Sequence, residues 1–319
     1  MKAIVHNRYG SSEVLEYKEI DLPVAGDDDV LLRVHAASVN AGDLFTMRGS
    51  PWLARLSTGL SRPKDHVLGW DAAGVVEAVG KNVTRFQPGD AVYCACSSSF
   101  ADYARARESV VALKPASLSF EQAAAVPTAG LAALQGLRDV GKVQPGQKVL
   151  INGASGGVGT FAVQIAKALG AEVTGVCSTR NVAMVRSLGA DHVVDYTQED
   201  FTRSGQRYDL ILDNAASRSF RDLRRALNPQ GLILPNSGHG GMSYVIKAFA
   251  LAPFLRQQGG MFDAKPNSAN MDALTELIEA GKVKPVIDCT YPLRDAQQAF
   301  RYLEEEHARG KVVITVENT

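Results

Sequence analysis

A run of small residues at positions 153–159 (G-A-S-G-G-V-G) follows the apolar segment 148–151 and precedes a helical pattern. This order of strand, loop and helix is the context that a dinucleotide-binding fingerprint requires. Small residues let the backbone approach a pyrophosphate, whose charge then meets backbone N–H groups at the start of the helix. Ala154 stands where the strict G-x-G-x-x-G pattern has its first glycine. We expect cofactor contacts from Ala154, Ser155, Gly156, Gly157 and Val158, the alternative being a tight turn without a ligand.

The segment after the next predicted strand carries no carboxylate. An NAD-binding chain would place Asp or Glu about 20 residues past the loop, to hold the ribose hydroxyls. Residues 173–190 contain neither, and the strand ends instead in Cys177-Ser178-Thr179-Arg180. Hydroxyls and a guanidinium suit a 2′-phosphate. We therefore predict that Ser178 and Arg180 bind NADPH in preference to NADH, unless Arg180 is only a solvated residue at a helix start.

The composition excludes several classes of protein. The 319 residues include 34 basic and 34 acidic side chains, which gives no electrostatic case for binding nucleic acid or an anionic membrane. Four cysteines are too few for a disulfide scaffold and suit a reducing cytosol, so we expect a cytoplasmic protein. The longest apolar stretch, 242–255, is interrupted by Lys247 and Pro253 and is shorter than the roughly 20 residues of a spanning helix. We expect it to line a pocket or an interface, without membrane insertion.

Two different patterns of hydrophobic residues divide the chain into predicted domains. Residues 1–112 contain short β-branched runs broken by Gly and Pro, which predicts a β-rich domain, and an Ala-rich helical segment follows at 119–136. From residue 148, apolar strands alternate with amphipathic helices, which predicts an α/β domain with a doubly wound parallel sheet. The predicted strands are 149–151, 173–176, 192–194, 210–212 and 232–234, and the predicted helices include 161–169 and 182–188.

The last part of the chain is ambiguous from periodicity alone. Two β-branched runs, 283–287 and 312–316, flank an amphipathic helix at 296–303. These runs could extend the parallel sheet or return to the first domain.

By its β-rich first domain, its glycine loop and the absence of an acid after the second strand, the chain resembles the medium-chain dehydrogenases/reductases. Within them it most resembles the zinc-free quinone oxidoreductases of the zeta-crystallin group. The similarity runs nearly end to end, through residues 37–43 (A-S-V-N-A-G-D), 68–74 (L-G-W-D-A-A-G), 126–130 (V-P-T-A-G), the glycine loop and 309–313 (R-G-K-V-V). The resemblance implies a Rossmann sheet and a GroES-like catalytic domain formed by both chain ends. We place the boundaries at 1–122 (catalytic), 123–258 (NADPH-binding) and 259–319 (returning to the catalytic domain), and we expect a homodimer.

The resemblance also bears on metal binding. Zinc-dependent alcohol dehydrogenases of this superfamily hold a catalytic zinc through cysteine and histidine, and the matching positions here are Asn40, Trp70 and Ala124. Cys94 and Cys96 are too few for the structural zinc of those enzymes. Without a Lewis acid, reduction of an already polarised acceptor is favoured over alcohol oxidation, which points to quinones and α,β-unsaturated carbonyls. The alternatives are an NADPH-binding sensor or structural protein, or a reductase of simple ketones or enoyl thioesters.

Asn40 is the predicted catalytic residue, because its amide can donate to a carbonyl or ribose oxygen. The competing interpretation is that Asn40 only caps a turn before residues 43–47. Asp43 is expected to orient local backbone. Phe45, Trp52 and Trp70 form a predicted aromatic wall for a flat acceptor, although aromatic residues in a β-rich domain are often plain core.

The remaining cofactor contacts are implied by the resemblance alone. Thr128 would contact the nicotinamide end, Tyr196 the adenosine phosphate region and Asn214 the nicotinamide ribose. Further contacts would come from the C-terminal part of the chain, at Phe262, His307, Ala308, Arg309 and Lys311.

Overall fold

The computed structural model describes residues 1–50, 52, 55–236, 264–306 and 308–317. The chain divides into two compact units, which are described separately. The first unit comprises Met1–Thr128, Pro266–Glu279 and Pro285–Thr319, and the second comprises Ala129–Lys265 and Ala280–Lys284.

The strands and helices follow the chain in a regular order. The strands are β1 (Lys2–Val5), β2 (Glu16–Glu19), β3 (Asp29–Val39), β4 (Asp71–Val79), β5 (Ala91–Ala95), β6 (Tyr103–Arg107), β7 (Val111–Leu113), β8 (Lys148–Asn152), β9 (Glu172–Cys177), β10 (His192–Asp195), β11 (Tyr208–Asp213), β12 (Leu227–Pro235), β13 (Ile287–Pro292) and β14 (Lys311–Thr315). The helices are α1 (Ala41–Arg48), α2 (Arg55–Thr58), α3 (Phe120–Ala124), α4 (Pro127–Leu134), α5 (Gly157–Ala168), α6 (Val182–Ser187), α7 (Phe220–Arg225), α8 (Ser268–Glu279) and α9 (Ala296–Glu305).

The first unit contains both ends of the chain and is built on a seven-stranded sheet. Its strand order is β13-β14-β3-β4-β5-β7, with β6 also paired to β3, and β1 and β2 form a separate antiparallel pair. β14 runs antiparallel to β3 and parallel to β13. The two C-terminal runs therefore return to the first domain, which resolves the alternative that periodicity left open. Alternate residues of β3, such as Val30, Leu32 and Val34, point into a buried apolar core.

The second unit is a five-stranded parallel sheet, which confirms the predicted doubly wound fold. The strand order is β10-β9-β8-β11-β12, and every neighbouring pair is parallel. Most of the apolar runs that predicted these strands are buried, because helices cover the sheet as parallel sheets require, whereas the edge strand β10 is half-buried or exposed. The order reverses between β8 and β11, and ligands of such sheets bind outside the carboxyl ends of the strands at this switch point.

The structure differs from the predicted elements at two prolines. The run 283–287 was expected to be one strand, but β13 begins only at Ile287, because Pro285 cannot donate a ladder hydrogen bond. The helical segment 119–136 is divided into α3 and α4, and Pro127 begins the second helix. The predicted domain boundary at residues 122 and 123 lies inside α3. Among the residues that the structure describes, there is no helix of the length and apolarity that crossing a membrane requires.

Candidate active site

The glycine loop joins β8 to α5 in the second unit. Gly153 has φ = +78°, a left-handed conformation that favours glycine. A Cβ on Gly159 would lie 2.0 Å from the carbonyl oxygen of Gly153, so the loop and the helix can pack together only without a side chain there. A Cβ on Gly156 would have its nearest neighbour at 3.6 Å. The two glycines therefore have different tasks: Gly159 permits internal packing, and Gly156 leaves the outside of the loop open.

The start of α5 offers backbone donors to an anion. The hydrogen bond from Thr160 N to Gly156 O, at 3.0 Å, is the first of the helix. The N–H groups of Gly157, Val158 and Gly159 have no carbonyl within the helix to bind, since no preceding turn exists. Such N–H groups and the positive helix end are the usual partners of a pyrophosphate. This loop thus fits the cofactor that the sequence predicts.

Asn214 follows β11 and carries an orphaned donor. Its backbone N–H donates to Asn152 O at 3.0 Å, and its Oδ1 accepts from Asn236 Nδ2 at 2.7 Å. Its Nδ2 is buried and has no hydrogen-bond partner among the described residues. A buried polar group without a partner is rare and needs an explanation. A ribose or amide oxygen of a bound dinucleotide would supply the missing acceptor.

The end of β9 differs in one respect from the expected phosphate pocket. Ser178 is half-buried and Arg180 is exposed, but the Thr179 hydroxyl donates to Asp195 Oδ2 at 2.6 Å. Asp195 ends the neighbouring strand β10, opposite Cys177. The hydrogen bond from Thr179 lowers the pKa of Asp195, so the carboxylate stays charged beside the predicted 2′-phosphate position. Sequence inspection missed this acid because it reaches the pocket from the adjacent strand.

A cluster of buried or half-buried polar side chains in the first unit surrounds Asp71, the first residue of β4. Asp71 is fully buried. Its Oδ1 accepts from Thr128 N at 2.9 Å and Thr128 Oγ1 at 2.6 Å, and its Oδ2 accepts from Ser38 Oγ at 2.9 Å and Asn40 Nδ2 at 3.0 Å. The register places these groups together, because Ser38 of β3 pairs directly with Asp71. Thr128 is predicted to contact the cofactor. Its hydroxyl donates a hydrogen bond to Asp71, and the lone pairs of its Oγ1 remain available as acceptors.

Lys311 completes this cluster from the other end of the chain. Val312 of β14 pairs with Val39 of β3, which brings Lys311 beside Asn40. The Lys311 ammonium, in a side chain only 3% exposed, lies 3.5 Å from Asp71 Oδ2 and donates to Asn40 Oδ1. Burial lowers the pKa of Lys311, and the charges of Asp71 and Asp43 oppose that shift. We name Ser38, Asn40, Asp71, Thr128 and Lys311 the Asp71 cluster.

The Asp71 cluster fixes the orientation of the Asn40 amide. Lys311 can only donate and a carboxylate can only accept, so Oδ1 of Asn40 must face Lys311 and Nδ2 must face Asp71. The second Nδ2 hydrogen donates to Ser38 O at 3.2 Å. Asn40 immediately precedes α1, as the turn-capping interpretation expects, but its side chain is engaged in this cluster. Asp71 and the role of Lys311 were not recognised in the sequence; an acidic residue directly before the small and apolar residues 72–76 was the available signal.

Asp43 holds local backbone, as predicted. Its Oδ2 accepts from Asn40 N at 2.8 Å and its Oδ1 from Gly69 N at 3.1 Å. The side chain is fully buried. Burial raises the pKa of Asp43 to about 7, although the two backbone N–H groups act in the opposite direction.

This shift predicts a pH dependence of stability. The unfolded chain loses the Asp43 proton near the ordinary pKa of 3.8, whereas the folded chain retains it to about pH 7. The stabilisation from Asp43 is therefore complete below pH 3.8 and is lost as the pH rises to 7. We expect the free energy of unfolding of the wild type, relative to Asp43→Asn, to fall between pH 4.5 and 7.5 in urea titrations. Asp27→Asn, at an exposed carboxylate of the same unit, is the control; a slope equal to that of the control would contradict the prediction.

The aromatic residues differ in their surroundings. Trp70 is 39% exposed and its ring lies against Gly42, where a Cβ would come within 2.0 Å of the ring. Trp70 therefore packs on the start of α1. Trp52 is 64% exposed, and Phe45 is half-buried within α1. An aromatic wall made by all three stays a prediction.

The C-terminal residues are placed as follows. Arg309 is exposed and bonds Asp288 through its backbone N–H at 2.8 Å and its Nε at 3.4 Å. Ala308 is half-buried, while Lys311 belongs to the Asp71 cluster. Tyr196 is 46% exposed, and its N–H donates to Cys177 O at 3.1 Å. Phe262, His307 and the apolar stretch 242–255 lie outside the described residues.

Two further observations concern metal ligands and a groove outside the predicted site. Within the described ranges, no group of three or more His, Cys, Asp or Glu side chains is placed to hold a metal ion. A groove of about 720 Å³ in the first unit is lined by Lys2, Arg33, Glu77 and Asp102, among others, and by none of the predicted site residues. Two of its cations are already paired, Lys2 with Glu19 and Arg33 with Glu77.

Comparisons with known proteins agree with this architecture. Residues 26–136 match the alcohol dehydrogenase GroES-like domain and residues 188–314 match the zinc-binding dehydrogenase family. Mitochondrial NAD(P)H oxidoreductase RTN4IP1 of Mus musculus is 34% identical over 99% of this chain and 89% of its own. Two Arabidopsis thaliana proteins are similar: the chloroplast envelope quinone oxidoreductase homolog, 32% identical over 98% of both chains, and the chloroplastic NADPH-dependent alkenal/one oxidoreductase, 33% identical over 98% of this chain and 79% of its own.

Solved structures give the same result. The quinone oxidoreductase of Coxiella burnetii superimposes with a TM-score of 0.87 at 30% identity, covering 99% of both chains. The Escherichia coli quinone oxidoreductase, solved in complex with NADPH, superimposes with a TM-score of 0.86 at 25% identity, covering 99% of this chain and 100% of its own. A GroES-like unit closed by both chain ends, together with a parallel sheet bearing the glycine loop, defines a medium-chain dehydrogenase/reductase. The chain belongs to this superfamily, in its quinone oxidoreductase group, and is an oxidoreductase.

The expected cytoplasmic location is wrong by this comparison. The three relatives from Mus musculus and Arabidopsis thaliana reported above are named as mitochondrial or chloroplast proteins, which contradicts the prediction of the cytosol. The inference from four free cysteines failed for a physical reason: free thiols indicate a reducing compartment, and the cytosol is not the only such compartment.

Proposed function

We propose that the protein is a zinc-independent, NADPH-dependent reductase that transfers hydride to quinones or α,β-unsaturated carbonyl compounds. The observation that carries the proposal is the hydrogen bond from the buried Lys311 ammonium to Asn40 Oδ1. Of the side chains at the three positions matched to zinc ligands, Asn40, Trp70 and Ala124, only Asn40 carries an oxygen, and that oxygen faces a cation. A second cation at the same oxygen would be repelled. The proposed zinc independence differs from the name of the matching family, zinc-binding dehydrogenase, which covers residues 188–314.

The cofactor assignment has support from the second unit. The N–H groups of Gly157 and Val158 would bind the pyrophosphate, Ser178 and Arg180 the 2′-phosphate, and Asn214 Nδ2 the ribose nearest the nicotinamide. When bound, NADPH supplies a hydride to the acceptor carbon and becomes NADP⁺, while water supplies the balancing proton. The Arabidopsis alkenal/one oxidoreductase and the Escherichia coli enzyme, both named with NADPH, support the same choice.

Asn40 would act on the acceptor oxygen. The Lys311 ammonium polarises the amide through Oδ1, and a chain of hydrogen bonds strengthens each member. The bond from Nδ2 to Ser38 O is, at 3.2 Å, longer than the 3.0 Å bond to Asp71. We propose that Nδ2 exchanges the Ser38 bond for the substrate oxygen, where negative charge develops. Trp70, Phe45 and Trp52 would contact the flat acceptor.

The first experiment is an assay of cofactor oxidation after dialysis against EDTA. NADPH and NADH are each followed with a naphthoquinone, an enone, an alkenal and a simple ketone. We expect turnover that prefers NADPH, reduces the quinone or the enone and survives the chelator. Tight NADPH binding without turnover would favour the sensor or structural alternative, and ketone reduction that requires added Zn²⁺ would refute zinc independence. Sedimentation velocity of the same sample tests the proposed homodimer.

Asn40→Ala is expected to lower kcat about 100-fold, the usual effect of losing one oxyanion donor. The dissociation constant for NADPH should stay within about twofold, because the residues proposed to bind the pyrophosphate and the 2′-phosphate lie in the second unit. Stopped-flow assays and fluorescence titration measure the two quantities. Asn82→Ala, at an exposed amide of the same unit, is the control. An Asn40→Ala protein with unchanged kcat would remove the catalytic role.

A further inference from the structure

One buried amide connects the glycine loop to the end of β9. Asn181, only 3% exposed, lies in the turn between β9 and α6, where its backbone N–H donates to Ser178 O at 2.9 Å. Its side-chain Nδ2 donates to Ser155 Oγ at 3.1 Å and to Ser178 Oγ at 3.3 Å. Ser155 belongs to the loop that would bind the pyrophosphate, and Ser178 to the segment that would bind the 2′-phosphate. A single NH₂ group therefore contacts both phosphate-binding segments.

The direction of the Asn181 amide follows from its surroundings. Nδ2 uses both hydrogens on the two serines, and the buried Oδ1 has no partner among the described residues. The reversed amide would leave two N–H donors buried without acceptors instead of one carbonyl oxygen. Orphaned buried N–H groups are rarer in proteins than under-satisfied carbonyl oxygens. The orientation with Nδ2 toward the serines is thus the favoured one.

This orientation determines what the two hydroxyls can offer to a ligand. A serine oxygen that accepts from Asn181 still has its own O–H to donate. Within the described part of the chain, the structure gives neither serine hydroxyl an acceptor for that proton. Thr179, which follows Ser178, is different, because its O–H is already donated to Asp195. A phosphate oxygen accepts hydrogen bonds, so the hydroxyls of Ser155 and Ser178 can donate to a phosphate, whereas the hydroxyl of Thr179 is already used.

We propose that Asn181 is a specificity-determining positioning residue, which sets the Ser155 and Ser178 hydroxyls as donors to the pyrophosphate and the 2′-phosphate. The inference rests on the proposed function for the identity of the cofactor. Its effect through Ser155 applies to NADPH and NADH alike, since both carry a pyrophosphate. Its effect through Ser178 applies only to NADPH, because NADH has no 2′-phosphate. Loss of Asn181 should therefore weaken both cofactors, and NADPH more.

Calorimetric titration with NADP⁺ and NAD⁺ tests the proposal without relying on turnover. Asn181→Leu removes the two donors and keeps nearly the same shape. We expect it to raise the Kd for NADP⁺ about 30-fold, in the range for hydrogen bonds to charged groups, and the Kd for NAD⁺ about 5-fold, in the range for an ordinary hydrogen bond. Ser178→Ala should raise the Kd for NADP⁺ about 10-fold and leave that for NAD⁺ unchanged. Ser187→Ala, an exposed hydroxyl in α6, is the control.

The outcomes separate this inference from the proposed function. Equal fold changes for the two cofactors in Asn181→Leu, or no change in either, would overturn it. If circular dichroism shows that Asn181→Leu does not fold, the test is made with Ser155→Ala and Ser178→Ala. Only Ser155→Ala should weaken the binding of NAD⁺. Any other pattern overturns the inference. If the wild type binds NAD⁺ more tightly than NADP⁺, the proposed cofactor is refuted. The role of Asn181 would still be supported in that case if Ser155→Ala and Asn181→Leu bind NAD⁺ more weakly than the wild type and Ser178→Ala does not.

Discussion

Lys311→Met is expected to lower the free energy of unfolding by about 3 to 5 kcal/mol, the range for removal of one partner from a buried ion pair. The substitution keeps most of the apolar stem but leaves the fully buried Asp71 without its cation. It also leaves Asn40 Oδ1 without a donor, so the amide loses the contact that fixes its direction. Turnover of the folded fraction should fall at least about 100-fold, the loss expected when an oxyanion donor is misplaced.

Guanidinium chloride unfolding and single-wavelength assays measure these two effects. Lys81→Met, at a lysine that is 73% exposed in the same unit, is the matched control and should change stability by less than about 1 kcal/mol. The double variant Asp71→Asn/Lys311→Met should regain most of the lost stability, because position 71 is then neutral and no longer needs the ammonium. A double variant less stable than Lys311→Met would show that the ion pair is not the dominant interaction of the cluster.

Alanine substitutions of Gly156 and Gly159 in the glycine loop should have different effects. Gly159→Ala is expected to destabilise the second unit by about 3 kcal/mol, because the new Cβ would lie 2.0 Å from the Gly153 oxygen. NADPH binding would be lost with the loop geometry. Gly156→Ala should leave stability within about 0.5 kcal/mol, since its φ of −83° suits alanine and the nearest atom is 3.6 Å away.

Gly156→Ala should nevertheless weaken NADPH at least about 10-fold, because a methyl group would hold the pyrophosphate away from the backbone. Thermal unfolding and fluorescence titration with NADPH distinguish the two variants. The expected pattern is a large loss of stability in Gly159→Ala and a loss of binding alone in Gly156→Ala. Equal stability in both variants would contradict the packing role of Gly159.

Sequence reasoning reached the fold because the signals for it are local. The apolar runs of β8, β9 and β11, the small residues of the glycine loop and the helical periodicity of α5 can each be recognised within a short segment. The resemblance, rather than periodicity, predicted that the last strands join the first domain. Pro285 was a local signal that the run 283–287 is not one strand, and it was overlooked.

The candidate site was less predictable because its contacts join distant segments. Lys311 was expected near the cofactor, and nothing in its neighbourhood along the chain indicates a partnership with Asp71. Asp195 was overlooked because the search for an acid followed the chain beyond β9, whereas the sheet brings the end of β10 beside that strand. Asn181 was not singled out in the sequence, because a polar residue at a helix start is common. Only strand register and burial reveal what these side chains contact.

The position of β14 has a consequence for the order in which the protein is completed during synthesis. β14 lies between β13 and β3, so the seven-stranded sheet of the first unit has an unfilled place until residues 311–315 leave the ribosome. The strands of the second unit are all made earlier, and domains generally fold as units in the order of synthesis. Until β14 pairs with β3, Asp71 and Asn40 have no ammonium to contact. A nascent chain can therefore possess the phosphate loop before it possesses the polar cluster that would carry out reduction.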